Sequence, residues 1–248
     1  MPYLQQTVTD VHPWSPNTFS IKLTRPDGFD FTNGEFVTIG LRQGGKLIAR
    51  AYSIVSTRDT PHLEFLSIHV PEGELTSQLV QVRPGDTVWV NSKPTGSLTL
   101  KHVQPGRHLY MLATGTGLAP FMSLVRDAQT FSGFEKVILT HSVRTVAELA
   151  YREELESLVG DNFMYVPAVT REPFGFNLRC SDAFISGDLF RHTKLPPATP
   201  SNDRVMLCGN PEMNRQMRQY LDDNNWTMTN HRGAGNYTLE AAFVAHHN

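Results

Sequence analysis

Apolar and polar positions alternate at period two through Phe19-Ser20-Ile21-Lys22-Leu23, through parts of Phe36-Val37-Thr38-Ile39-Gly40-Leu41, and through Leu63-Glu64-Phe65-Leu66-Ser67-Ile68-His69-Val70. Each stretch reads as a strand with one buried face, because successive side chains on a strand point to opposite sides. Turn signals separate them: Pro26-Asp27-Gly28, Asn33-Gly34, Gly44-Gly45, and Pro84-Gly85-Asp86 ahead of Thr87-Val88-Trp89-Val90. Short strands with such punctuation predict a closed antiparallel barrel over the first hundred residues. One short helix interrupts it within Val70-Pro71-Glu72-Gly73-Glu74-Leu75-Thr76-Ser77-Gln78-Leu79, where Thr76 or Ser77 can cap the first turn and free N–H groups can meet an anion. A plain helix cap explains the same residues.

From residue 102 the pattern changes. Apolar runs at Leu109–Ala113, Lys136-Val137-Ile138-Leu139-Thr140, Phe163–Ala168 and Val205-Met206-Leu207-Cys208 alternate with helical periodicities, one carrying Leu149, Leu155 and Leu158 and another Met213, Met217, Tyr220 and Leu221. Such alternation predicts a mostly parallel sheet with helices on both faces, whose ligands gather at the carboxyl ends of the strands. Thr114–Gly117, His141–Arg144, Thr170-Arg171 and Cys208-Gly209 all fall at such ends. In the first of these, a strand runs into Thr114-Gly115-Thr116-Gly117, and Pro120 then opens a helix with Phe121, Leu124, Val125 and Ala128 on one face. Two glycines let a ligand approach the backbone closely, although a strand-turn-helix with glycine is also a common plain connection.

Composition narrows the chemistry. The chain has 248 residues, enough for two domains, and its formal charge of −2 argues against a nucleic-acid binder, which needs a dense basic face. Residues 1–101 hold nine Lys+Arg and nine Asp+Glu, and the remainder thirteen and fifteen, so any charged docking site must be local. Cys180 and Cys208 are the only cysteines, too few for a four-cysteine cluster or structural zinc site. None of the ten histidines has metal-ligand spacing with a carboxylate, so no metal is expected and most histidines are assigned to surfaces and turns. The N-terminus lacks a signal-like run and no apolar stretch reaches membrane length, which points to a cytoplasmic protein.

Arg50-Ala51-Tyr52-Ser53 adds a specific feature. Arg50 and Tyr52 share one face of an extended strand and Ser53 takes the other, so a guanidinium can pair a diphosphate, a ring can stack, and a hydroxyl can bond a heteroaromatic ring. A barrel strand with one exposed arginine is the plainer account. The set Arg-x-Tyr-Ser, then Gly-x-x-Thr-Ser, then Gly-Thr-Gly-x-Ala-Pro, in that order, resembles the ferredoxin-NADP reductase family. The resemblance implies an FAD-binding antiparallel barrel, taken as residues 1–101, and an NADP-binding α/β domain, taken as 102–248.

On that resemblance Arg50 binds the FAD diphosphate, Tyr52 stacks on the flavin, and Ser53 hydrogen-bonds beside the atom that accepts hydride. Ala51, His69, Val70, Gly73, Leu75, Thr76, Ser77 and Thr116 complete the FAD contacts. His141-Ser142-Val143-Arg144 and Val169-Thr170-Arg171 resemble the bacterial branch and imply NADP contacts at Thr114, Gly115, Gly117, Arg144, Thr170, Arg171, Arg179, Cys208, Gly209 and Met213. Thr170, Arg171 and Arg179 fall at the adenosine 2′-phosphate, although Leu178 stands where the family has glycine. Cys208, at the start of a Cys-Gly-x-Pro turn, lies beside the nicotinamide by the same match, while by itself it reads as a small buried hydrophobe. Near the end, Glu240 matches the family's acid and Ala242 replaces the plant-type terminal ring. Ala242 and Phe243 are expected to meet the flavin.

The implied activity is FAD-dependent electron exchange between NADPH and ferredoxin or flavodoxin by a monomer, with Ser53, Cys208 and Glu240 around the transfer. Arg42, Lys46, Arg58 and Lys93 are candidates for docking an acidic carrier. Two alternatives remain at this level: a reductase serving an oxygenase or free flavin, and a flavin- or nucleotide-binding sensor without turnover.

Overall fold

The computed structural model describes residues 2–230 and 232–242 of the chain. Six antiparallel strands, β1 (Tyr3–Ser15), β2 (Thr18–Thr24), β3 (Phe36–Gln43), β4 (Lys46–Ser53), β5 (His62–Ile68) and β6 (Thr87–Asn91), lie in the order β4-β3-β6-β1-β2-β5. An antiparallel bridge between Ile54 and Phe65 joins the two ends of that order, so the sheet closes on itself as expected. Val8, Ile21, Leu23, Val37, Ile39, Leu63, Phe65, Val88 and Val90 fill the interior, each contributing about 1.5–3 kcal/mol by leaving water. Helix α1 (Thr76–Leu79) lids one end with Leu75 and Leu79.

β1 was not visible as a strand in the hydrophobic pattern. Gln6 and Val8 are its only buried residues, yet it is the longest strand, pairing with β6 through Tyr3–Thr7 and with β2 through Val8–Ser15. Its backbone pairing on both sides, not its side chains, earns it a place in the sheet. β5 departs from alternation in the opposite sense. Leu63 and Phe65 face the barrel interior, while Glu64 and Leu66 are buried as well, because the second half of the chain covers the outer face.

The second sheet is five-stranded and wholly parallel, ordered β11-β10-β7-β8-β9, from β7 (His108–Thr114), β8 (Lys136–Val143), β9 (Phe163–Val169), β10 (Arg204–Gly209) and β11 (Tyr237–Ala241). Six helices cover it: α2 (Ala119–Val125), α3 (Gln129–Ser132), α4 (Arg152–Leu158), α5 (Cys180–Ser186), α6 (Asp188–Thr193) and α7 (Pro211–Asp223). Strands are added from β7 outward through β8 and β9, and the chain then returns to the other side of β7 to lay down β10. That reversal makes the carboxyl ends of β7 and β10 the switch point, where such sheets bind ligands.

Several helix assignments need correction. The helix opened by Pro120 stops at Val125, and Ala128 is exposed at the start of α3 rather than on its buried face. Leu149 lies ahead of α4, and Leu158 is exposed at its end, leaving Leu155 as the helix's buried residue. Thr76 does not cap α1, since its hydroxyl accepts from the Val70 amide (3.2 Å) and donates to the Val70 carbonyl (3.1 Å), tying the loop together instead. Most of the described histidines are exposed or half-buried as expected, and His108 and His141 are the buried exceptions. Among the described residues no helix is long and apolar enough to cross a membrane, and no cluster of ligands could hold a metal.

At the opposite end of the parallel sheet, the Asp203 carboxylate is fully buried. It accepts from Arg107 at 3.2 and 2.9 Å and from the Thr199 amide at 2.8 Å. Replacing Asp203 by Ala leaves Arg107 and that amide without their acceptor and is expected to destabilise the protein by about 3 kcal/mol. A urea midpoint within experimental error of the parent's would contradict this.

Candidate functional site

The site forms where the switch point of the parallel sheet meets the end of β4. Thr114 ends β7, and its hydroxyl accepts from both the backbone amide (2.9 Å) and the side-chain amide (3.2 Å) of Asn210. That hydroxyl, predicted to face NADP, therefore locks β7 to the Gly209-Asn210 turn after β10. Asn210 in turn caps α7 by accepting from the Met213 amide (2.9 Å), with Pro211 at the first turn. Met213 itself is buried beneath the turn, 3.5 Å from the Cys180 sulfur.

Both glycines at this point are required by close approach. A Cβ on Gly117 would stand 2.1 Å from the Cys208 carbonyl oxygen, and one on Gly209 2.2 Å from Thr114 Oγ1. The two turns are thus packed backbone to backbone, leaving their outer edges for a ligand. Gly115 has φ +53°, and its carbonyl is bonded by His141 Nε2 at 2.9 Å. A carbonyl only accepts, so Nε2 carries the proton and Nδ1 is bare. Nδ1 is buried without a partner, and burial of the whole ring pushes the His141 pKa down to about 4, against the smaller opposing effect of its bond to Gly115. This neutral histidine fixes the turn, and the i to i+26 relation between residues 115 and 141 left no local pattern to reveal it.

Cys208, the last residue but one of β10, is 1% exposed and lies beside Glu240 on the adjoining strand. Burial, and secondarily the Glu240 charge, raise its thiol far above the ordinary range, so it packs as a neutral group. Glu240 reaches across to the barrel. One carboxylate oxygen accepts from the Ser97 amide at 2.5 Å, the Ser97 hydroxyl at 3.3 Å and the Leu98 amide at 3.3 Å. Burial raises the Glu240 pKa, with these three donors pulling the other way. Thr238 lies on the same strand face and also reaches Ser97, as period two requires. Ala242 packs against the core, and its amide donates to the Gly209 carbonyl at 3.0 Å. Phe243 lies outside the described residues.

Ser53 joins this group through the barrel. It pairs with Phe36, which bridges to Thr95, and a Cβ on Gly96 would lie 3.1 Å from the Glu240 carboxylate and 3.3 Å from the Phe36 ring. Ser53, Glu240 and Cys208 therefore stand in one connected neighbourhood assembled from β4, β11 and β10. The Ser53 hydroxyl has no hydrogen-bond partner among the described residues. Thr116, at the foot of the turn, is buried.

Arg50 and Tyr52 pair with Ile39 and Val37 and share a face as predicted. They do different things there. The half-buried Tyr52 ring packs edge-on against Phe65 with its hydroxyl 3.1 Å from Ser67, and burial raises its pKa. Arg50 is exposed and pairs with Glu74 at 2.6 Å, next to the loop that starts α1. Ala51 is exposed between them. In that loop Gly73 is cramped, since a Cβ would meet Thr76 Oγ1 at 2.4 Å. The Leu75 and Thr76 amides donate to nothing among the described residues, while the Ser77 amide bonds the Gly73 carbonyl. A guanidinium beside free amides fits a diphosphate. Val70 is exposed and His69 half-buried at the same edge, whereas the Leu75 side chain is spent on the barrel interior.

At the far edge of the parallel sheet, Arg144, Thr170 and Arg171 are exposed on two crossing loops, and the Arg171 amide bonds the Arg144 carbonyl at 2.9 Å. The Thr170 hydroxyl donates to the Val143 carbonyl. Arg179, also exposed, stands 3.8 Å from Glu212. Of the candidate docking residues, Arg42 stacks over Trp89 and Arg58 pairs with Asp30.

Residues 6–100 match the oxidoreductase FAD-binding domain family and residues 111–219 the oxidoreductase NAD-binding domain family. The chain is 44% identical over 250 residues to a ferredoxin-NADP reductase of Pseudomonas aeruginosa, covering 96% of this chain and 97% of that one. It is 39% identical to a flavodoxin/ferredoxin-NADP reductase of Rhodobacter capsulatus, covering 96% and 93%. It superposes with a TM-score of 0.92 on a ferredoxin NADP+ reductase from Neisseria gonorrhoeae solved with bound FAD and NADP, at 29% identity and covering 98% of this chain and all of that one.

Two outcomes test this geometry. Gly117→Ala is expected to cost about 1–3 kcal/mol in thermal or urea unfolding, because the added methyl meets backbone rather than a flexible side chain. His141 binds its proton near pH 6.5 when unfolded and near 4 when folded, so the unfolded chain holds more protons between those values and stability falls as pH drops through them. The contribution is on the order of 3 kcal/mol, and unfolding measured from pH 7 to 4 should lose that slope in His141→Asn. An unchanged slope would count against the histidine.

Proposed function

The chain belongs to the ferredoxin-NADP reductase family, and on that premise we propose that it exchanges electrons between NADPH and ferredoxin or flavodoxin through FAD, with the residue roles that follow. The observation that carries the assignment is the joining of the parallel sheet's switch point to the barrel through Glu240 and Ser97, which sets a nucleotide-binding turn against the Ser53 end of β4. When bound, FAD would supply the redox chemistry that links hydride to single-electron transfer. The chain's task is then to hold two cofactors in register.

Arg50 and the free amides of the Gly73–Ser77 loop hold the FAD diphosphate, with Val70, His69 and Ala51 along the same edge. Glu74 would have to yield its place on Arg50, and because that pair is exposed its loss costs little. The accessible part of the Tyr52 ring stacks on the flavin, and the Ser53 hydroxyl donates to it. Gly115, Thr116 and Gly117 wall the nicotinamide, with the Cys208 thiol and the Gly209 backbone beneath. Glu240 keeps the mouth of this seam polar. Arg144, Thr170, Arg171 and Arg179 read the 2′-phosphate of NADP by charge-assisted hydrogen bonds, which compete with solvent and so need more than one cation. The division between the two binding units is assigned to residues 101/102, between β6 and β7. A soluble, cytoplasmic monomer is consistent with these surfaces.

An oxygenase-serving reductase on the same scaffold is the nearest competing reading, and reduction of cytochrome c through added ferredoxin or flavodoxin separates the two. The purified protein should be yellow, and Arg171→Ala should raise the KM for NADPH roughly 10- to 100-fold while leaving NADH oxidation within about twofold of the parent. Equal losses with both nucleotides would remove Arg171 from the 2′-phosphate.

A further inference from the structure

A second set of polar groups crosses between barrel and parallel sheet, away from Glu240, and no step assigned above uses it. Arg126 follows the last residue of α2. Its guanidinium donates to Glu64 Oε2 at 2.7 Å and the Val55 carbonyl at 3.1 Å, both on the barrel side, and through Nε and Nη2 to both Glu154 oxygens at 2.6 and 2.8 Å. The other Glu64 oxygen accepts from the Tyr151 hydroxyl at 3.0 Å. Glu64 is 4% exposed, and among the described residues these are the partners of its carboxylate. Tyr151 lies with its ring 5.3 Å from the Arg126 guanidinium carbon and 4.4 Å from the Trp14 ring. It holds φ +57°, a conformation a bulky side chain adopts only when its surroundings enforce it. Asp127, the residue after Arg126, accepts from the Asn33 side chain at 2.8 Å, and Asn33 in turn accepts from the Arg58 amide.

The positions of these contacts along the chain give them a use. Val55 is two residues past Ser53, the end of β4. α2 begins three residues past Thr116, and as seven residues of helix it carries position over about 10 Å without bending. One path therefore runs from Ser53 through Val55 to Arg126, along α2, and into the Thr114–Gly117 turn. The apolar seam beside it, Val55 and Leu66 against Leu118, Phe121 and Met122, holds the surfaces together but tolerates sliding, because burial has no preferred direction. A planar fork bound to three fixed acceptors does not tolerate it.

We propose that Arg126 is a positioning residue for hydride transfer: held by Glu64, Val55 and Glu154, it fixes the distance between the flavin-side Ser53 and the nicotinamide-side turn. The inference rests on the reductase reading above. Arg126 is not among the residues assigned above to either cofactor, its guanidinium being engaged by Glu64, Val55 and Glu154, and misplacement of the reacting atoms by about 1 Å is enough to slow a reaction on the order of a hundredfold.

Arg126→Lys retains the charge, so the carboxylates keep a counter-ion, but one ammonium cannot span the three acceptors. Tyr151→Phe, which withdraws a single hydroxyl, serves as the second variant. Single-turnover flavin reduction at saturating NADPH is expected to fall at least tenfold in Arg126→Lys and severalfold in Tyr151→Phe, with FAD content and KM for NADPH within about twofold of the parent. Hydrogen exchange without nucleotide provides a readout apart from turnover, and the amides of 55–58 and 114–118 should accelerate together. Ferricyanide reduction by dithionite-reduced protein should stay at the parent rate. Hydride transfer within twofold of the parent per bound FAD, a rise in KM with an unchanged maximal rate, or faster exchange confined to α4 would each overturn the proposal. A parent protein that binds FAD but cannot be reduced by NADPH would instead overturn the reductase reading.

Discussion

A barrel strand buried on both faces is the constraint on which the rest of this molecule depends. β5 turns Leu63 and Phe65 into the barrel and Leu66 and Glu64 outward, where Leu66 joins the apolar cluster of the helix after the Thr114–Gly117 turn and Glu64 is met by Arg126 and Tyr151. The barrel cannot be completed as a soluble surface without the second unit, since uncovering Leu66, Val55 and Leu98 would return a contiguous apolar patch to water. Binding units that might have been joined by a linker are instead fused along one core.

Fusion brings a burial problem. A carboxylate in an apolar seam is costly unless each oxygen finds a donor. Glu64 finds Arg126 and Tyr151, and Glu240 finds the Ser97 and Leu98 amides with the Ser97 hydroxyl. Both partner sets come from across the seam, so satisfying the carboxylates requires the two units to meet in one arrangement. The same groups that make the seam expensive when misaligned make it specific when aligned.

The two ends of the proposed cofactor track contrast. Gly117, Cys208 and His141 are buried and uncharged, and the two turns there are packed tightly together, a setting suited to shielding a hydride donor from water. At Arg144, Arg171 and Arg179 the side chains are exposed and the cations are set on loops, which suits recognition of a phosphate that arrives with its own hydration. The contrast between a rigid, buried switch point and an adjustable, exposed rim follows from burial alone.

What the sequence determined by itself is what depends on neighbours in the chain. Period-two strands and glycine turns implied the barrel, alternating strands and helices implied the parallel sheet, and short motifs placed candidate ligands at strand ends, because those properties repeat locally. Local signals failed where the tertiary structure set the outcome. β1 is polar and becomes a strand through its neighbours' backbones, Ala128 keeps a helical period after its helix has ended, Leu158 keeps one in a last turn that faces solvent, and the Thr76 and Thr114 hydroxyls are taken up by Val70 and Asn210. Glu64 stood on the polar face of an alternating strand, and His141 at a strand end among candidate ligand residues. Only the packing of one unit on the other decided that both are buried, and a contact between residues 64 and 126, or 115 and 141, leaves no mark on either stretch of sequence.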